Sequence, residues 1–295
     1  LQFGPETSTA NRCRLGGMLG NNSCGLHSLI YGSVRDHILE IDAFLSDGSQ
    51  VRFEPLNNEQ FQSKLQSSNP LEKQIYNHIN TLLSNKQLKE DIVAAYPLKE
   101  VTRRNMGYAL DALMDTQPFS NSTEPFNFCK LLAGSEGTLA FTTVMKLNLI
   151  PLPPKVKGVV AAHFASLEEA LLANVIALKY NPGAVEMMDD IIIDCTRSNI
   201  EQTKNRFWVE GNPKNVLAIE FARDSEKEIE SIKEKMVAEF KREGLGYAYP
   251  LIFGAENISR VWNLRTAGLG LLSNIEGERK STTVIEDTAV APRLL

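Results

Sequence analysis

The segment from Cys13 to Asp36, CRLGGMLGNNSCGLHSLIYGSVRD, combines glycine-rich backbone with short polar side chains. Glycine lets another group approach the main chain closely and allows positive φ angles. Asparagine and serine hold turns and can hydrogen-bond a ligand edge, and successive N–H groups in turns form concavities for anions or carbonyl oxygens. The residues with this potential are Gly16, Gly17, Asn21, Asn22 and Gly25. A flat polar ligand lying against main chain and a plain cluster of β-turns explain the pattern equally well.

A second glycine-rich stretch, GSEGTLAF at Gly134–Phe141, leads into a run typical of a strand. It lacks the Gly-Lys-Ser/Thr ending of a nucleotide-binding P-loop, so a tight turn feeding a strand is the simpler interpretation by itself. AGLGLL at 267–272 resembles the start of a dinucleotide-binding motif, but it lacks the third glycine and follows helix-like sequence. We therefore exclude a Rossmann site there.

Charged residues in the second half offer a different kind of chemistry. Arg265, in RVWNLRTAG, has a guanidinium that could grip a substrate carboxylate through two parallel hydrogen bonds, although most helical arginines lie at the surface. Two acidic pairs, in MMDD at 187–190 and IED at 285–287, place carboxylates beside apolar residues. Such pairs, taken alone, are typical of solvated turns or helix caps, so the residue types leave these roles open.

The composition limits the partners that the chain can have. A formal net charge of −5 disfavours nucleic acid and anionic membrane surfaces, and no uncharged apolar run approaches the roughly 18 residues of a transmembrane segment. Four cysteines and four histidines lack the spacing of a zinc or iron–sulfur site, so we expect free thiols in a reducing compartment. The chain starts at Leu1 and ends without a polar tail, and we interpret it as a piece of a longer polypeptide.

The first half of the sequence predicts a β domain interrupted by helices. Residues 1 to about 55 have β character, and an Asp-Gly pair predicts a hairpin of Ile38–Leu45 with Val51–Phe53. Apolar residues at helical spacing between about 57 and 115 predict two or three amphipathic helices, with one more short helix in RRNMGYALDALM. TLAFTTVMKLNLI then predicts a long strand, and the prolines that follow, up to Pro154, mark a domain boundary.

The second half alternates strands with helices. KGVVAAHFA, VLAIEFA, YAYPLIF and STTVIEDTAV predict strands. Ser166 with Glu169 predicts a capping box for one helix, and DSEKEIESIKEKMVAEFKREG predicts an amphipathic helix that ends at Gly244. ENISRVWNLRTAGLGLLS predicts a third helix. This order of elements predicts an α+β fold, with one antiparallel sheet and helices on one of its faces.

Three stretches taken together resemble the FAD-binding (PCMH-type) domain of the vanillyl-alcohol oxidase superfamily: FGPETSTANRCRLGGMLGNNSCG, YGSVRDHILEIDAFLSDG and LLAGSEGTLAF. The chain resembles the FAD-linked oxidases of the D-lactate dehydrogenase and glycolate oxidase subunit group, and in RRNMGYALDAL and VWNLRTAGLGLL it resembles large bacterial members. The resemblance implies that residues 1–152 are the second FAD-binding subdomain, with a helical insertion at about 57–115. Residues 153–295 would be an incomplete substrate cap domain, an antiparallel sheet with helices.

The resemblance also implies roles for single residues. Arg265 would bind the substrate carboxylate, and Glu286, in the acidic strand VIEDTAV, would line the same pocket. The catalytic base stays unassigned. The chain holds no counterpart of the family's metal-binding histidines or iron–sulfur cysteines, so a divalent metal and iron–sulfur clusters would belong to other parts of the full-length protein. The residues expected along FAD are Gly16, Gly17, Asn21, Asn22, Gly25, Tyr31, Gly32, Glu136 and Gly137.

The reaction that the resemblance implies is FAD-dependent oxidation of a D-2-hydroxy acid, such as D-lactate or glycolate, to the 2-oxo acid by hydride transfer to flavin N5. The partners would be the small-molecule 2-hydroxy acid and a downstream electron acceptor, in the bacterial cytoplasm or at the inner face of the membrane. Because the pyrophosphate-binding subdomain would precede Leu1, we expect this chain alone to hold FAD weakly or not at all. Two alternatives stay open: an FAD-linked oxidase of another alcohol, and a non-catalytic relative that acts as a binding module.

Overall fold

The computed structural model describes residues 1–104, 107–197, 199–273 and 288–294. The chain divides into two compact units, Leu1–Leu152 (unit 1) and Pro153–Leu295 (unit 2). Both units combine helices with an antiparallel sheet, which confirms the predicted α+β class.

Unit 1 begins with short helices rather than with the predicted β structure. The glycine-rich segment folds into α1 (Leu15–Gly20), α2 (Ser28–Tyr31) and α3 (Val34–His37). Ser33 and Asp36 form a capping box that starts α3, because the serine hydroxyl and the aspartate carboxylate satisfy N–H groups of the first turn. The alternative of a plain β-turn cluster is therefore wrong for Gly16 and Gly17, which lie inside α1.

The sheet of unit 1 contains the predicted hairpin. β1 (Ile38–Phe44) pairs with β2 (Gln50–Phe53), and Gly48 allows the tight turn between them with a φ of 81°. β3 (Phe141–Leu147) is shorter than the predicted strand and pairs with the other side of β1, so the strand order is β2-β1-β3. This pairing brings the turn before β3 back to the start of the unit.

The helical segment of unit 1 confirms the predicted amphipathic helices. Asparagine N-caps begin these helices because each side chain accepts a hydrogen bond from a first-turn N–H group. The apolar faces pack around an aromatic cluster in which Phe61, Tyr76 and Phe126 are almost fully buried. The helices of this part are α4 (Asn58–Lys64), α5 (Pro70–Ser84), α6 (Lys86–Ala95), α7 (Leu110–Met114) and α8 (Cys129–Leu132).

Unit 2 is built on a four-stranded antiparallel sheet with the order β5-β6-β4-β7. Three of these strands lie in predicted segments, but β5 was missed because its sequence AVEMMD is only six residues long and lacks the regular alternation of apolar and polar residues that indicates a strand. The strands are β4 (Val156–Phe164), β5 (Ala184–Asp189), β6 (Asn215–Arg223) and β7 (Leu251–Phe253). The predicted strand STTVIEDTAV lies largely outside the described residues, and 288–290 form no regular structure.

The helices of unit 2 begin and end largely where the sequence predicts. Ser166 caps its helix, although the Glu169 carboxylate accepts hydrogen bonds from the N–H groups of Ala165 and Gly246. Gly244 follows the amphipathic helix with a φ of 71°, as predicted for its end. The helices are α9 (Leu167–Leu178), α10 (Asp190–Cys195), α11 (Ile200–Thr203), α12 (Glu226–Arg242) and α13 (Ala255–Ser273).

Helices cover both faces of the unit 2 sheet, so the prediction of a single covered face was wrong. α9 and α12 pack on the face that carries Val160, Ala162 and Phe164. α13 and α10 pack on the opposite face, against Val159 and Ala161. The strand β4 is apolar on both faces, which is the sequence signature of a strand buried on both sides.

Candidate functional site

The two glycine-rich stretches of unit 1 come together in the fold. The N–H of Gly134 donates to the carbonyl of Leu19 over 2.9 Å, and the N–H of Glu136 donates to the carbonyl of Gly20 over 2.9 Å. The turn before β3 therefore rests on the C-terminal end of α1. The two stretches that the sequence singles out form one continuous surface.

Part of this surface is exposed main chain without side chains in front of it. Gly16, Gly17 and Gly137 are exposed, and a Cβ atom added at any of them would meet no other atom within 4 Å. Glu136 is exposed with a φ of 51°, and Gly137 follows with a φ of 73°. These four positions fit a flat cofactor such as FAD lying against the backbone, and we call them the glycine surface.

Several residues predicted along FAD have partners within the protein instead. Asn22 is fully buried, and its Oδ1 accepts a hydrogen bond of 2.7 Å from the N–H of Arg35. A Cβ atom at Gly25 would lie 1.5 Å from the carbonyl oxygen of Glu6. Glycine is therefore needed at this position because the main chain of Glu6 packs directly against it. Asn21 is exposed and donates to the Ser23 hydroxyl.

At the end of α2, Tyr31 and Gly32 also contact other residues of unit 1. The carbonyl of Tyr31 pairs with Nε2 of His37 over 2.6 Å. Gly32 has a φ of 62°, and a Cβ atom there would lie 2.4 Å from the Asp36 carboxylate. Tyr31 and Gly32 therefore have a clear role in the fold, and their contact with FAD stays a prediction, as it does for Asn21, Asn22 and Gly25.

Arg35 braces the turn that carries Glu136 and Gly137 of the glycine surface, a role that sequence reasoning missed. Its side chain is 7% exposed, and its guanidinium donates to main-chain carbonyls, including those of Lys130 at 2.9 Å, Arg104 at 3.1 Å and Ala133 at 2.6 Å. Burial lowers the pKa of Arg35. The carbonyls of Lys130 and Ala133 belong to the end of α8, which leads directly into the turn. Arg35 therefore fixes the position of the turn from behind.

In unit 2, Arg265 lies on α13 and binds a carboxylate of the sheet. Its Nε–H and Nη2–H groups both donate to Oε2 of Glu186, over 2.9 and 2.7 Å. Glu186 is on β5, and the side chains of Arg265 and Glu186 are 43% and 21% exposed. Sequence reasoning missed Glu186 because it is 79 residues away and depends on a strand that was not predicted.

A second carboxylate holds the same helix one turn earlier. Trp262 Nε1–H donates to Oε2 of Glu220 over 2.9 Å, and Lys157 Nζ contacts the other oxygen over 3.0 Å. Glu220 is 2% exposed, so its charge is compensated within the protein. Glu186 and Glu220 come from the neighbouring strands β5 and β6, on the face that α13 covers. We use the name α13 cluster for the five residues Lys157, Glu186, Glu220, Trp262 and Arg265.

The two acidic pairs singled out in the sequence differ in how far the structure describes them. Asp189, in MMDD, caps α10 by accepting from the N–H of Ile192, which agrees with a structural role for that acidic pair. Glu286 lies outside the described residues. Burial raises the pKa of the Cys129 thiol to about 12. Over the described ranges, no group of three or more His, Cys, Asp or Glu side chains could hold a metal ion, and no helix there is long and apolar enough to cross a membrane.

Two models of protein families match the chain. The model of the C-terminal domain of FAD linked oxidases matches residues 153–295, and the model of an FAD binding domain matches residues 1–54. The two matches therefore fall in unit 2 and at the start of unit 1.

Two curated proteins and one solved structure illustrate the similarity. The D-2-hydroxyglutarate dehydrogenase of Pantoea ananatis is 31% identical over 302 residues, which cover 99% of this chain and 28% of that protein. The glycolate oxidase subunit GlcD of Escherichia coli is 27% identical over 195 residues, 65% of this chain and 26% of that protein. An alkyldihydroxyacetonephosphate synthase structure has a TM-score of 0.48 at 13% identity, and the match covers 92% of this chain and 38% of the chain in that structure. The chain thus spans less than a third of these two curated relatives.

Proposed function

Since this chain belongs to the family of FAD-linked oxidases, we propose that it is the part of a flavoenzyme that oxidises a D-2-hydroxy acid to the 2-oxo acid. The resemblance found in the sequence is thereby confirmed at the level of the family. Two curated relatives are named for the oxidation of hydroxy acids, D-2-hydroxyglutarate and glycolate.

The observation that carries the proposal is the state of Arg265. Its guanidinium is partly exposed and already binds one carboxylate, that of Glu186, through the Nε/Nη2 edge. Nη1 of Arg265 has no hydrogen-bond partner among the residues that the structure describes. Arginine pairs with carboxylates through two parallel hydrogen bonds, so the Nη1/Nη2 edge suits the carboxylate of a 2-hydroxy acid.

The residues of this chain would divide the work between binding and orientation. FAD, when bound, supplies the hydride acceptor, and the protein contributes positioning and electrostatics. We propose that Gly16, Gly17, Glu136 and Gly137 lie along FAD, since their main chain is open to a flat ligand. Arg265 would hold the substrate by its carboxylate and so fix the direction of the reacting C–H bond. No base is assigned among the described residues.

The identity of the acid is a finer question. D-lactate and glycolate, expected from the resemblance, remain candidates beside D-2-hydroxyglutarate, for which a more similar relative is named. A 2-hydroxydicarboxylic acid would require a second positive group beyond Arg265. We place all three acids within the proposed class.

The test is anaerobic reduction of the flavin in the flavin-loaded protein that contains this chain. D and L forms of 2-hydroxyglutarate and lactate, together with glycolate, would be added separately, and bleaching of the flavin absorbance would be followed. We expect bleaching by one or more of the D acids or by glycolate and little by the L acids. Bleaching by neutral alcohols alone, or by none of these acids, would contradict the proposed function.

A further inference from the structure

We propose that Glu186 is a positioning residue for the substrate. By holding one edge of the Arg265 guanidinium, it presents the other edge to the substrate carboxylate. This inference rests on the proposed function, and it adds a residue that neither the sequence motifs nor the family resemblance had singled out.

The geometry of the pair supports this role. Both hydrogen bonds from Arg265 end on the same oxygen, Oε2 of Glu186, at 2.9 and 2.7 Å. A guanidinium that donates Nε–H and Nη2–H in one direction is fixed in its plane, because its donors form a rigid fork. Nη1–H and the second hydrogen of Nη2 then point along the remaining edge.

Both partners of the pair are attached to well-packed parts of unit 2. On α13, Val261 and Leu264 are fully buried against the sheet, and Trp262 is held by Glu220. Glu186 lies in the register of β5 with β6, opposite Ala218, which is also fully buried. The backbone of both residues is therefore fixed by packing, and the ion pair removes the remaining freedom of the long arginine side chain.

The charge of Glu186 has a second consequence. A bare arginine would present a full positive charge to the substrate, whereas the Arg265–Glu186 pair is neutral as a unit. A substrate carboxylate would bind this pair less tightly than it would bind a free guanidinium, but in a defined orientation. The charge of Glu186 would therefore lower the affinity for the substrate in the ground and transition states alike, whereas its hydrogen bonds would supply the orientation on which the turnover number depends.

Two substitutions of Glu186 separate its effect on the orientation of Arg265 from the effect of its charge. Glu186→Ala removes both the acceptor and the charge, so Arg265 loses its fixed orientation. We expect kcat to fall by about 10- to 100-fold, the range that small misplacements of a reacting group produce. Glu186→Gln keeps an oxygen that accepts from Arg265 and removes only the charge. We expect its kcat to stay near that of the wild type and its KM for the 2-hydroxy acid to decrease.

A matched control is available in unit 1. Arg52 and Asp42 form an exposed pair with hydrogen bonds of 2.6 and 2.9 Å, so Asp42→Asn makes the same kind of change away from α13. We expect Asp42→Asn to leave both kcat and KM unchanged. All four proteins would be loaded with FAD and compared at the same flavin content.

A second measurement follows Arg265 in the 295-residue chain without any cofactor. Phenylglyoxal modifies arginines, and peptide mass mapping gives the labelling rate of each one. We expect Glu186→Ala to increase the labelling of Arg265 severalfold, and the matched variant Asp42→Ala to increase the labelling of Arg52 but not of Arg265. Unchanged labelling of Arg265 in Glu186→Ala would show that Glu186 does not hold it and would overturn the inference.

The kinetic outcomes distinguish the inference from the proposed function. If the wild-type protein oxidises a 2-hydroxy acid but Glu186→Ala keeps its kcat, Glu186 is not a positioning residue and only the inference fails. A lower KM with unchanged kcat in Glu186→Ala would mean that Glu186 competes with the substrate, which also overturns it. If the wild-type protein oxidises no 2-hydroxy acid, the proposed function fails and the inference fails with it.

Discussion

The glycine surface of unit 1 and the α13 cluster of unit 2 differ in the groups that they would offer to a ligand. The first offers main chain from which side chains are absent, at Gly16, Gly17 and Gly137. The second offers a charged side chain, Arg265, whose direction is set by a carboxylate from another element. One surface suits a flat ring system, and the other suits a small anion.

The difference also concerns where the supporting interactions lie. In unit 1 the support is buried behind the surface, where Arg35 and Asn22 bond to main chain of neighbouring segments. In unit 2 the carboxylate that holds Arg265, Glu186, lies beside the functional group and is partly exposed to solvent. Substitutions behind the glycine surface should therefore change stability, whereas substitutions of Glu186 and Arg265 should change kinetics.

The largest effect on stability is expected for Arg35→Ala. Each buried carbonyl that loses its donor costs about 1–3 kcal/mol, so the loss should reach at least about 3 kcal/mol in the free energy of unfolding of unit 1. Both tryptophans, Trp208 and Trp262, lie in unit 2, so their fluorescence reports that unit separately while hydrogen exchange follows unit 1. The exposed control Arg52→Ala should cost less than about 1 kcal/mol. An equally small effect of Arg35→Ala would remove Arg35 from its structural role.

Asn22 distinguishes a structural role from a cofactor role. Asn22→Gly keeps the positive φ of 47° but leaves the buried N–H of Arg35 without its acceptor, which should cost about 1–3 kcal/mol. Asn22→Ala should cost roughly 1 kcal/mol more, because alanine is strained at this φ. Thermal unfolding of the chain without FAD measures both. Unchanged stability together with loss of flavin from the loaded protein would show that Asn22 serves the cofactor instead.

His163 makes unit 2 sensitive to acid. It is fully buried, Nδ1 lies 2.8 Å from the carbonyl of Ala161, and Nε2 accepts from the N–H of Glu210, so the neutral ring fits these partners. Burial lowers the pKa of His163. Below the unfolded-state pKa of about 6.5, His163 is protonated in the unfolded chain but stays neutral in the folded chain. The free energy of unfolding therefore decreases as the pH falls.

The corresponding measurement is urea unfolding followed by tryptophan fluorescence between neutral and mildly acidic pH. We expect the free energy of unfolding of unit 2 to decrease as the pH falls through this range. His163→Asn, although less stable throughout, should show a weaker dependence on pH. Parallel curves for the two proteins would assign the acid sensitivity to other groups.

Gly17→Ala should have the smallest effect on stability, with the opposite sign. Gly17 lies inside α1 in open space, so alanine should stabilise the helix by roughly 0.5–1 kcal/mol. If the glycine surface contacts FAD, the same methyl group should lower the flavin content of the loaded protein after gel filtration. Gly48→Ala, in the hairpin turn with a φ of 81°, is the control that should reduce stability without touching flavin content. Full retention of flavin in Gly17→Ala would place FAD elsewhere.

The sequence predicts much of the fold because local signals suffice for it. Asp47-Gly48 specifies the hairpin, asparagine and serine caps begin the helices, and apolar periodicity gives their faces. The exceptions are informative. LGGMLG forms a helix although two glycines disfavour it, because Met18 and Leu19 are buried in the core of unit 1. Tertiary packing outweighs local propensity there.

The candidate site is less predictable because its support comes from distant residues. Gly16, Gly17 and Arg265 stand out by type, but the partners of Arg35 and Arg265 are set by which segments become neighbours in the fold. Arg35 donates to main-chain carbonyls 69 and 95 residues away. Every residue has such a carbonyl, so the amino-acid sequence does not show which ones will accept from Arg35. Glu186 was invisible for a similar reason, since only the pairing of β5 with β6 places it beneath α13.

If Arg265 recognises the carboxylate of the substrate, its removal should abolish the preference for an acid over the corresponding amide. In the flavin-loaded protein, anaerobic rates of flavin reduction by a D-2-hydroxy acid and by its neutral amide would be measured for the wild type and for Arg265→Ala. We predict that the wild type prefers the acid strongly and that Arg265→Ala loses about 2–5 kcal/mol of transition-state stabilisation with the acid alone, so that acid and amide react at similar rates. An undiminished preference for the acid in Arg265→Ala would show that Arg265 does not bind the substrate carboxylate.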